Sequence, residues 1–374
     1  MRANIDQPTQ KAQSDTLWPL RSLQVIAIAW IVLNQFREHP AELALGERYG
    51  LVFKGYLGAE LFFVTAGFIA FHAWNRLRED GRLRHLSLIW RKLIRLWPLH
   101  IATMAAMGLL ALVAAREGAP VDARVFDPAA VPANLTLTQA WGTLPTVSWN
   151  FPSWLISAEW FAVIVFPVTA VVVRAWRRPW MAVVAPIVLF ACAFDLCQAR
   201  HILFSDMTAQ IGALQTVPAF LFGAGLSRFS QERGLSVTAA RLLVPLSAAW
   251  IVAAAILRLA DPFIFPAFGF LALGLAERAR QGRALMAGPA WRYFGGLSYA
   301  LMLVYLPADI IWFHAWRGVF GAPEGAMAWI ALAGVIPTIL AATIVAHHLI
   351  ERPAYAVLRR LNPFPEPPPI RWMA

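Results

Sequence analysis

Two glutamates stand inside long apolar stretches, where an ionisable side chain is costly. Glu60 lies in GYLGAELFFVTAGFIAF and Glu159 in WNFPSWLISAEWFAVIVFP. Ionisable groups in such stretches usually face a functional cavity or a partner, and a partly buried carboxylate can take a proton from a hydroxyl. We therefore predict a catalytic role for Glu159 near the outer membrane face. For Glu60, a hydrated position at the interface is the alternative.

A cationic cluster, Arg91, Lys92 and Arg95, precedes an apolar run. Arg91 and Arg95 are four residues apart and share one face of a helix, so they could clamp an anionic ligand such as a nucleotide phosphate. The alternative is the usual excess of positive charge on the cytoplasmic side of a membrane protein. In either case we expect this cluster on the opposite side of the membrane from Glu159.

The composition predicts a protein that crosses a membrane several times. Of 374 residues, 59% are hydrophobic and 14% are charged, and the mean hydropathy is +0.57, which excludes an ordinary soluble domain. A membrane-spanning helix needs about 20 apolar residues, and the sequence indicates ten. They are residues 17–36, 56–74, 96–115, 155–173, 179–198, 208–227, 239–257, 262–277, 294–315 and 327–349. The predicted fold class is an all-α transmembrane bundle of about ten spans.

Lysine and arginine are distributed unevenly among the predicted loops. If the N-terminus is cytoplasmic, 24 of the 32 lysine and arginine residues fall in inner segments. The positive-inside rule then places both termini in the cytoplasm. The formal net charge of +11 therefore reflects topology, and we expect no nucleic-acid binding.

The chain is predicted to form one membrane domain, residues 17–360, between a disordered tail at 1–16 and a Pro-rich tail at 361–374. The first apolar run lacks a small-residue cleavage site and is expected to be an anchor.

Cys192 and Cys197 should face different sides of one helix, so neither a disulfide nor a metal site is expected. Residues 75–98 read as an amphipathic helix, and the long outer loop at 116–153 as a functional segment.

Seven stretches in a fixed order resemble the acyltransferase-3 family of integral membrane enzymes, over roughly residues 17–360. They are LRSLQVIAIAWIVLNQF, GYLGAELFFVTAGFIAF, WRKLIRLWPLH, NLTLTQAW with WNFPSWLISAEWFAVIVFP, VPAFLFGAGLSRF, FGGLSYALMLVYLP and HHLIERP. The family moves an acyl group, usually from a coenzyme A thioester, onto a hydroxyl of a sugar or another extracytoplasmic acceptor. The resemblance implies acyl-CoA as co-substrate, with no bound cofactor and with its phosphates near Arg91, Lys92 and Arg95.

The resemblance also implies an acceptor, a location and partners. The acceptor would be a carbohydrate or a cell-surface polysaccharide, met near the outer ends of the first, second and fourth spans. The protein would lie in the lipid bilayer of the inner (cytoplasmic) membrane, where proteins of a polysaccharide pathway are candidate partners.

The sequence departs from the family pattern at the positions of the expected catalytic groups. The family's first span usually carries an arginine and, eleven residues later, a histidine thought to activate the acceptor hydroxyl. Gln24 and Gln35 occupy these positions, on one helix face and about 16 Å apart by helical rise. Tyr305 stands where a second histidine is often found. An amide has no useful basicity.

The missing histidine leaves two candidates for the base, His39 and Glu159. His39 lies one turn beyond Gln35, although Pro40 favours an exposed loop. The predicted polar site comprises Gln35, Glu60, Glu159, Ser298 and Tyr305, with Gln24 in a positioning role.

Three functions are compatible with these observations. The first is an active acyltransferase, and the second is a catalytically impaired relative that binds an acyl donor or a glycan. The third is a transporter or flippase, although the lack of an internal repeat disfavours it.

Overall fold

The computed structural model describes residues 17–37, 40, 43–79, 85–146, 148–201 and 208–364, and within these ranges the chain forms helices and no strand. His39, the predicted tail at 1–16 and residues 365–374 of the predicted tail at 361–374 lie outside the described residues. Fourteen helices of eight or more residues form the framework. They are α1 Trp18–Gln35, α2 Gly58–Glu79, α3 His85–Arg116, α4 Trp154–Ile164, α5 Phe166–Ala175, α6 Met181–Ala199, α7 Thr208–Gln215, α8 Val217–Glu232, α9 Val237–Ile256, α10 Asp261–Arg280, α11 Pro289–Gly296, α12 Ser298–Phe320, α13 Gly325–Ala346 and α14 Arg352–Arg360.

Each of the ten apolar stretches coincides with a helix or with a pair of consecutive helices. In the described part of the chain, seven helical segments are long and apolar enough to cross a membrane, and an eighth span is formed if α4 and α5 count as one. The all-helical membrane fold is therefore confirmed. Ten spans and cytoplasmic termini stay predictions.

The span that carries Glu159 is broken into α4 and α5. The two helices are bent by 60°, with Pro167 in the first turn of α5. Proline has no N–H and its ring clashes with the carbonyl four residues earlier, so it ends a helix at this point. The break leaves α4 only 11 residues long.

The segment between α3 and α4 folds back into the bundle. Trp97 Nε1 donates to the carbonyl of Leu135 (2.9 Å), and His100 Nε2 lies 2.9 Å from the carbonyl oxygen of Asn134. Trp97 and His100 lie about 25 Å along the helix axis from the C-terminal end of α3, by helical rise. Asn150, at the end of the segment, is fully buried. Helix α4 therefore begins inside the bundle, and part of the predicted outer loop at 116–153 packs against α3.

Helices α2 and α8 cross at glycines, which let their backbones meet. A Cβ built on Gly223 would lie 1.8 Å from the carbonyl oxygen of Val64, and one on Gly67 would lie 2.0 Å from that of Phe220. Small residues at helix contacts are the usual device for close packing in membranes. This crossing fixes the position of α2, which forms one wall of the site.

Both ends of the described chain lie at one end of the bundle. Arg21, in the first turn of α1, and Tyr355, in α14, line the same cavity. We call this the terminal end. The other end of α1, at Gln35, lies about 25 Å away by helical rise.

We predict that Gly223→Ala destabilises the fold, because the new methyl group overlaps the Val64 carbonyl. Overpacking of this kind costs about 1–3 kcal/mol, so the melting temperature of the purified protein in detergent should fall. Gly318→Ala in α12 is the matched control, since nothing lies within 4 Å of a Cβ there. Equal melting temperatures for the two variants would contradict the close crossing.

Candidate active site

A cavity of about 180 Å³ opens within the terminal half of the bundle. Most of its wall is built by the first turns of α1, the middle and second half of α2, the start of α3, the α4–α5 break and the start of α12, and α8, α11 and α14 add one residue each. Apolar side chains form much of this wall, namely Ala66, Ile69, Ala70, Ala73, Trp74, Leu88, Val163, Phe166 and Phe220. The cavity thus offers an apolar interior between helices, which is where membrane bundles place ligand sites.

A buried ion pair lies at the cavity. Lys92 Nζ is 2.5 Å from Glu159 Oε1, and the side chain of Glu159 is only 5% exposed. The Tyr299 hydroxyl donates to the same carboxylate oxygen at 2.7 Å, and it accepts a hydrogen bond from Lys92. Glu159 Oε2 is buried and has no hydrogen-bond partner among the described residues. One carboxylate oxygen is therefore fixed by two hydrogen bonds, while the other is buried without a protein partner in the described part of the chain.

Two cations lie close to the ring of Tyr299. Lys92 Nζ lies 4.5 Å and Arg95 Cζ 4.7 Å from the ring centroid, distances at which a cation is attracted to the face of an aromatic ring. Arg95 Nε is 3.8 Å from Glu351 Oε1, and His347 Nδ1 is 2.8 Å from Glu351 Oε2.

His347 and Glu351 bound a five-residue π-helix between α13 and α14. Such wide turns are frequent at functional sites. The interactions of Arg95 and Glu351 therefore connect the C-terminal helices to the cavity.

Four cationic side chains and one carboxylate line the cavity: Arg21, Arg91, Lys92 and Arg95, with Glu159. Their formal charges, four positive and one negative, leave a balance of +3. A positively charged cleft between apolar walls raises the local concentration of anions. The cavity therefore favours an anionic ligand.

Several of the predicted site residues meet in this cavity. Gln24, Glu159 and Ser298 line it together with the three predicted cations. The expectation that Glu159 and the cations lie on opposite sides of the membrane is wrong, because Lys92 touches Glu159. The physical reason is the inward fold of residues 130–146 and 148–153, which starts α4 deep in the bundle.

Three other predicted residues, Gln35, Glu60 and Tyr305, lie outside the lining of this cavity. Gln35 is half-buried at the far end of α1, and Tyr305 is buried in α12. Glu60 is buried in α2, where Gln215 Nε2 donates to its Oε1 at 3.1 Å. The other oxygen of Glu60 has no hydrogen-bond partner within the described ranges.

A second buried polar cluster lies near Glu60. Lys54 Nζ is 2.6 Å from Asp261 Oδ1, and the Tyr56 hydroxyl donates to the same carboxylate at 2.9 Å. Lys54 and Asp261 are both buried. This cluster ties the segment before α2 to the start of α10, so its evident role is to join these elements.

Arg21 and Tyr299 were not predicted from the sequence. Arg21 stands three residues before Gln24, so helical periodicity already puts it on the same face. Tyr299 directly follows Ser298 within FGGLSYALMLVYLP, but an aromatic residue at the start of a span is typical of the membrane interface. Only the fold shows that it contacts Glu159.

The site offers proton transfer and anion binding. Within the described ranges, no group of three or more His, Cys, Asp and Glu side chains could hold a metal ion. The carboxylate of Glu159 can accept a proton, and the Lys92 ammonium can stabilise a negative charge beside it. These are the parts that transfer of an acyl group to a hydroxyl requires.

Comparisons with known proteins agree with this chemistry. A family model described as an acyltransferase domain matches residues 20–347. The comparisons with curated proteins and with solved structures gave no match. The family model spans most of the chain and all the residues that line the cavity except Tyr355, and the chain therefore belongs to the acyltransferase-3 family.

Proposed function

We propose that this protein transfers an acyl group from acyl-CoA to a hydroxyl of a carbohydrate or cell-surface polysaccharide, in the inner (cytoplasmic) membrane. The observation that carries the proposal is the geometry of Glu159. Lys92 and Tyr299 hold Oε1, while Oε2 is unpartnered among the described residues, in a cavity that is lined by cations.

The cations support an acyl-CoA donor. Arg21, Arg91, Lys92 and Arg95 surround the cavity, and guanidinium groups form strong, charge-assisted hydrogen bonds with phosphates. The apolar wall suits the acyl chain and the uncharged part of the donor. The thioester carbon would then lie next to Glu159.

In the proposed reaction, Glu159 Oε2 takes the proton of the acceptor hydroxyl as the oxygen forms a bond to the thioester carbonyl carbon. The ammonium of Lys92 stabilises the negative charge that develops on the carbonyl oxygen. The carbon–sulfur bond then breaks, and the thiol leaves with the proton that Glu159 returns. Tyr299 keeps the carboxylate in position throughout.

The acceptor would approach from the direction of Glu60. The ring of Phe62, two residues beyond Glu60, contacts the ring of Tyr299 edge-on at 6.2 Å. Glu60 therefore lies in the first turn of α2, just before this contact along the helix, on the side away from the terminal end. Its unpartnered, buried oxygen is a suitable acceptor for a sugar hydroxyl.

We predict that Glu159→Gln lowers the turnover number for acyl transfer by roughly 10²–10⁴, the usual contribution of a general base. Transfer of labelled acyl groups to glycan would be measured with purified protein, and acyl-CoA binding should persist. Glu324→Gln, at an exposed position, is the control.

Glu159→Asp keeps the negative charge opposite Lys92. It therefore shows whether an effect of Glu159→Gln comes from loss of the base or from misfolding. It should fold and retain partial activity. A Glu159→Gln variant that folds and transfers at the wild-type rate would overturn the mechanism. Wild-type protein that binds acyl-CoA but transfers nothing to any acceptor would overturn the catalytic function.

We predict that Tyr299→Phe lowers the turnover number by about tenfold while the KM for acyl-CoA changes little. The ring stays beside Lys92 and Arg95, and the hydrogen bonds that the hydroxyl makes with Glu159 and Lys92 are lost. A hydrogen bond with a charged partner is worth about 1.5–3 kcal/mol. Tyr305→Phe is the matched control in the same helix and should have no effect on turnover. A lower turnover number for Tyr305→Phe, with no change for Tyr299→Phe, would show that Tyr305 has this role instead.

We predict that Gln35→His does not raise turnover by more than about twofold. Gln35 lies about 16 Å along α1 from Gln24, by helical rise, whereas Gln24 lines the cavity with Glu159. The measurement is acyl-CoA turnover by the purified wild type and the variant. A gain of roughly a hundredfold or more, the lower range for general base catalysis, would show that the acceptor is activated at position 35.

A further inference from the structure

A second cavity, of about 290 Å³, lies beside the first at the terminal end of the bundle. Its lining is polar and includes three guanidinium groups, those of Arg78, Arg174 and Arg228. Asn75 and Gln231 add amide groups. The cavity is therefore a place for a phosphorylated, hydrogen-bonding ligand.

Trp74 connects the two cavities. Its indole lines the first cavity. Arg78 Cζ and Arg174 Cζ, which belong to residues of the second cavity, lie 5.7 and 5.9 Å from the ring centroid of Trp74. The same tryptophan also contacts Phe71 of the second cavity, at 6.0 Å between ring centroids. The two cavities therefore adjoin at Trp74.

Hydrogen bonds prearrange the polar cavity. Arg174 Nη1 donates to Asn75 Oδ1 at 2.8 Å, and Asn75 Nδ2 donates to Gln231 Oε1 at 2.6 Å. Arg228 pairs with Glu232 at 2.7 Å and also donates to backbone carbonyls at the end of α5. Arg228 thus holds the wall together, and Arg78 and Arg174 supply the net positive charge.

We propose that this polar cavity binds the phosphorylated adenosine end of the coenzyme A donor, while the first cavity holds the thioester end. This inference rests on the proposed function. A ligand of drug size usually occupies a pocket of roughly 300–1,000 Å³, and the first cavity provides about 180 Å³. The donor therefore needs further space, and the neighbouring cavity offers it with guanidinium groups that suit phosphates.

The test uses the full-length protein with the double variant Arg78→Gln and Arg174→Gln. Binding of adenosine 3′,5′-bisphosphate should weaken by about tenfold or more, because charge-assisted hydrogen bonds are lost. The KM for acyl-CoA should rise by a similar factor, whereas the KM for the acyl-pantetheine donor, which lacks the nucleotide, should not change. The turnover number should stay the same with both donors.

Two controls separate the role of the cavity from a general effect of charge. Arg177→Gln removes an exposed positive charge three residues from Arg174, outside the cavity lining, and should leave nucleotide binding unchanged. Lysines at positions 78 and 174 (Arg78→Lys with Arg174→Lys) should restore part of the binding. Equal losses in Arg177→Gln and in the double variant would overturn the proposal.

A phospholipid headgroup offers the same phosphate chemistry, so binding is also measured in vesicles of phosphatidylcholine with and without phosphatidylglycerol. Nucleotide binding that is unchanged in the double variant, with loss of stabilisation by phosphatidylglycerol, would assign the cavity to lipid and overturn the proposal. Normal nucleotide binding without any acyl transfer would instead overturn the proposed function and leave the nucleotide site standing.

Discussion

The ion pair between Lys92 and Glu159 is the interaction on which the rest of the site depends. It joins α3 to α4 inside a membrane bundle, and Tyr299 adds α12 through the same carboxylate oxygen. A buried charge is tolerated only when it is paired. Removal of one member of a buried ion pair typically costs about 3–5 kcal/mol of folding free energy. The three helices must therefore approach at this level, and the cavity forms where they do.

That approach is possible only because the chain between α3 and α4 enters the bundle. Irregular backbone is tolerated at this depth when protein groups satisfy its hydrogen bonds. Trp97 and His100 do so in part, at the carbonyls of Leu135 and Asn134. Asn150 then anchors the segment, because its Nδ2 donates to the Thr103 hydroxyl and to the carbonyl of Leu303. Because α4 begins at this depth, Glu159 lies at the same depth in the bundle as Lys92, near the beginning of α3.

The sequence predicts the helices well and the depth of the connecting segments poorly. Ten apolar runs correspond to helices because hydrophobic length is a local property. The depth of residues 117–153 depends on contacts with α3 and α12, which composition does not record. For the same reason Glu159 and the cations were each found as unusual groups, yet they were placed on opposite sides. Tyr299 was missed because its neighbours come from distant parts of the chain.

The two glutamines of α1, Gln24 and Gln35, differ in their position relative to the cavity. Gln24 lines the cavity one helical turn from Arg21, so a guanidinium is present close to the place where the family usually carries one. Gln35 is remote from the cavity, at the other end of α1. The departures that the sequence resemblance predicts at positions 24 and 35 therefore leave the cations of the cavity in place, and the predicted loss of an imidazole falls at the other end of α1.

A site that binds a polyanionic donor beside a carboxylate must overcome the repulsion between them. The formal charge of +3 among the residues that line the cavity does this before the donor arrives. Lys92 has the central part, since its ammonium neutralises Glu159 at 2.5 Å and, in the proposed mechanism, stabilises the charge that develops during transfer. If Lys92 were elsewhere, Glu159 would repel the phosphates of the proposed donor and would also be costly to bury. Under the proposal the same cation serves folding, donor binding and the chemical step, which would explain why the pair lies at the wall of the cavity and not in the packed core.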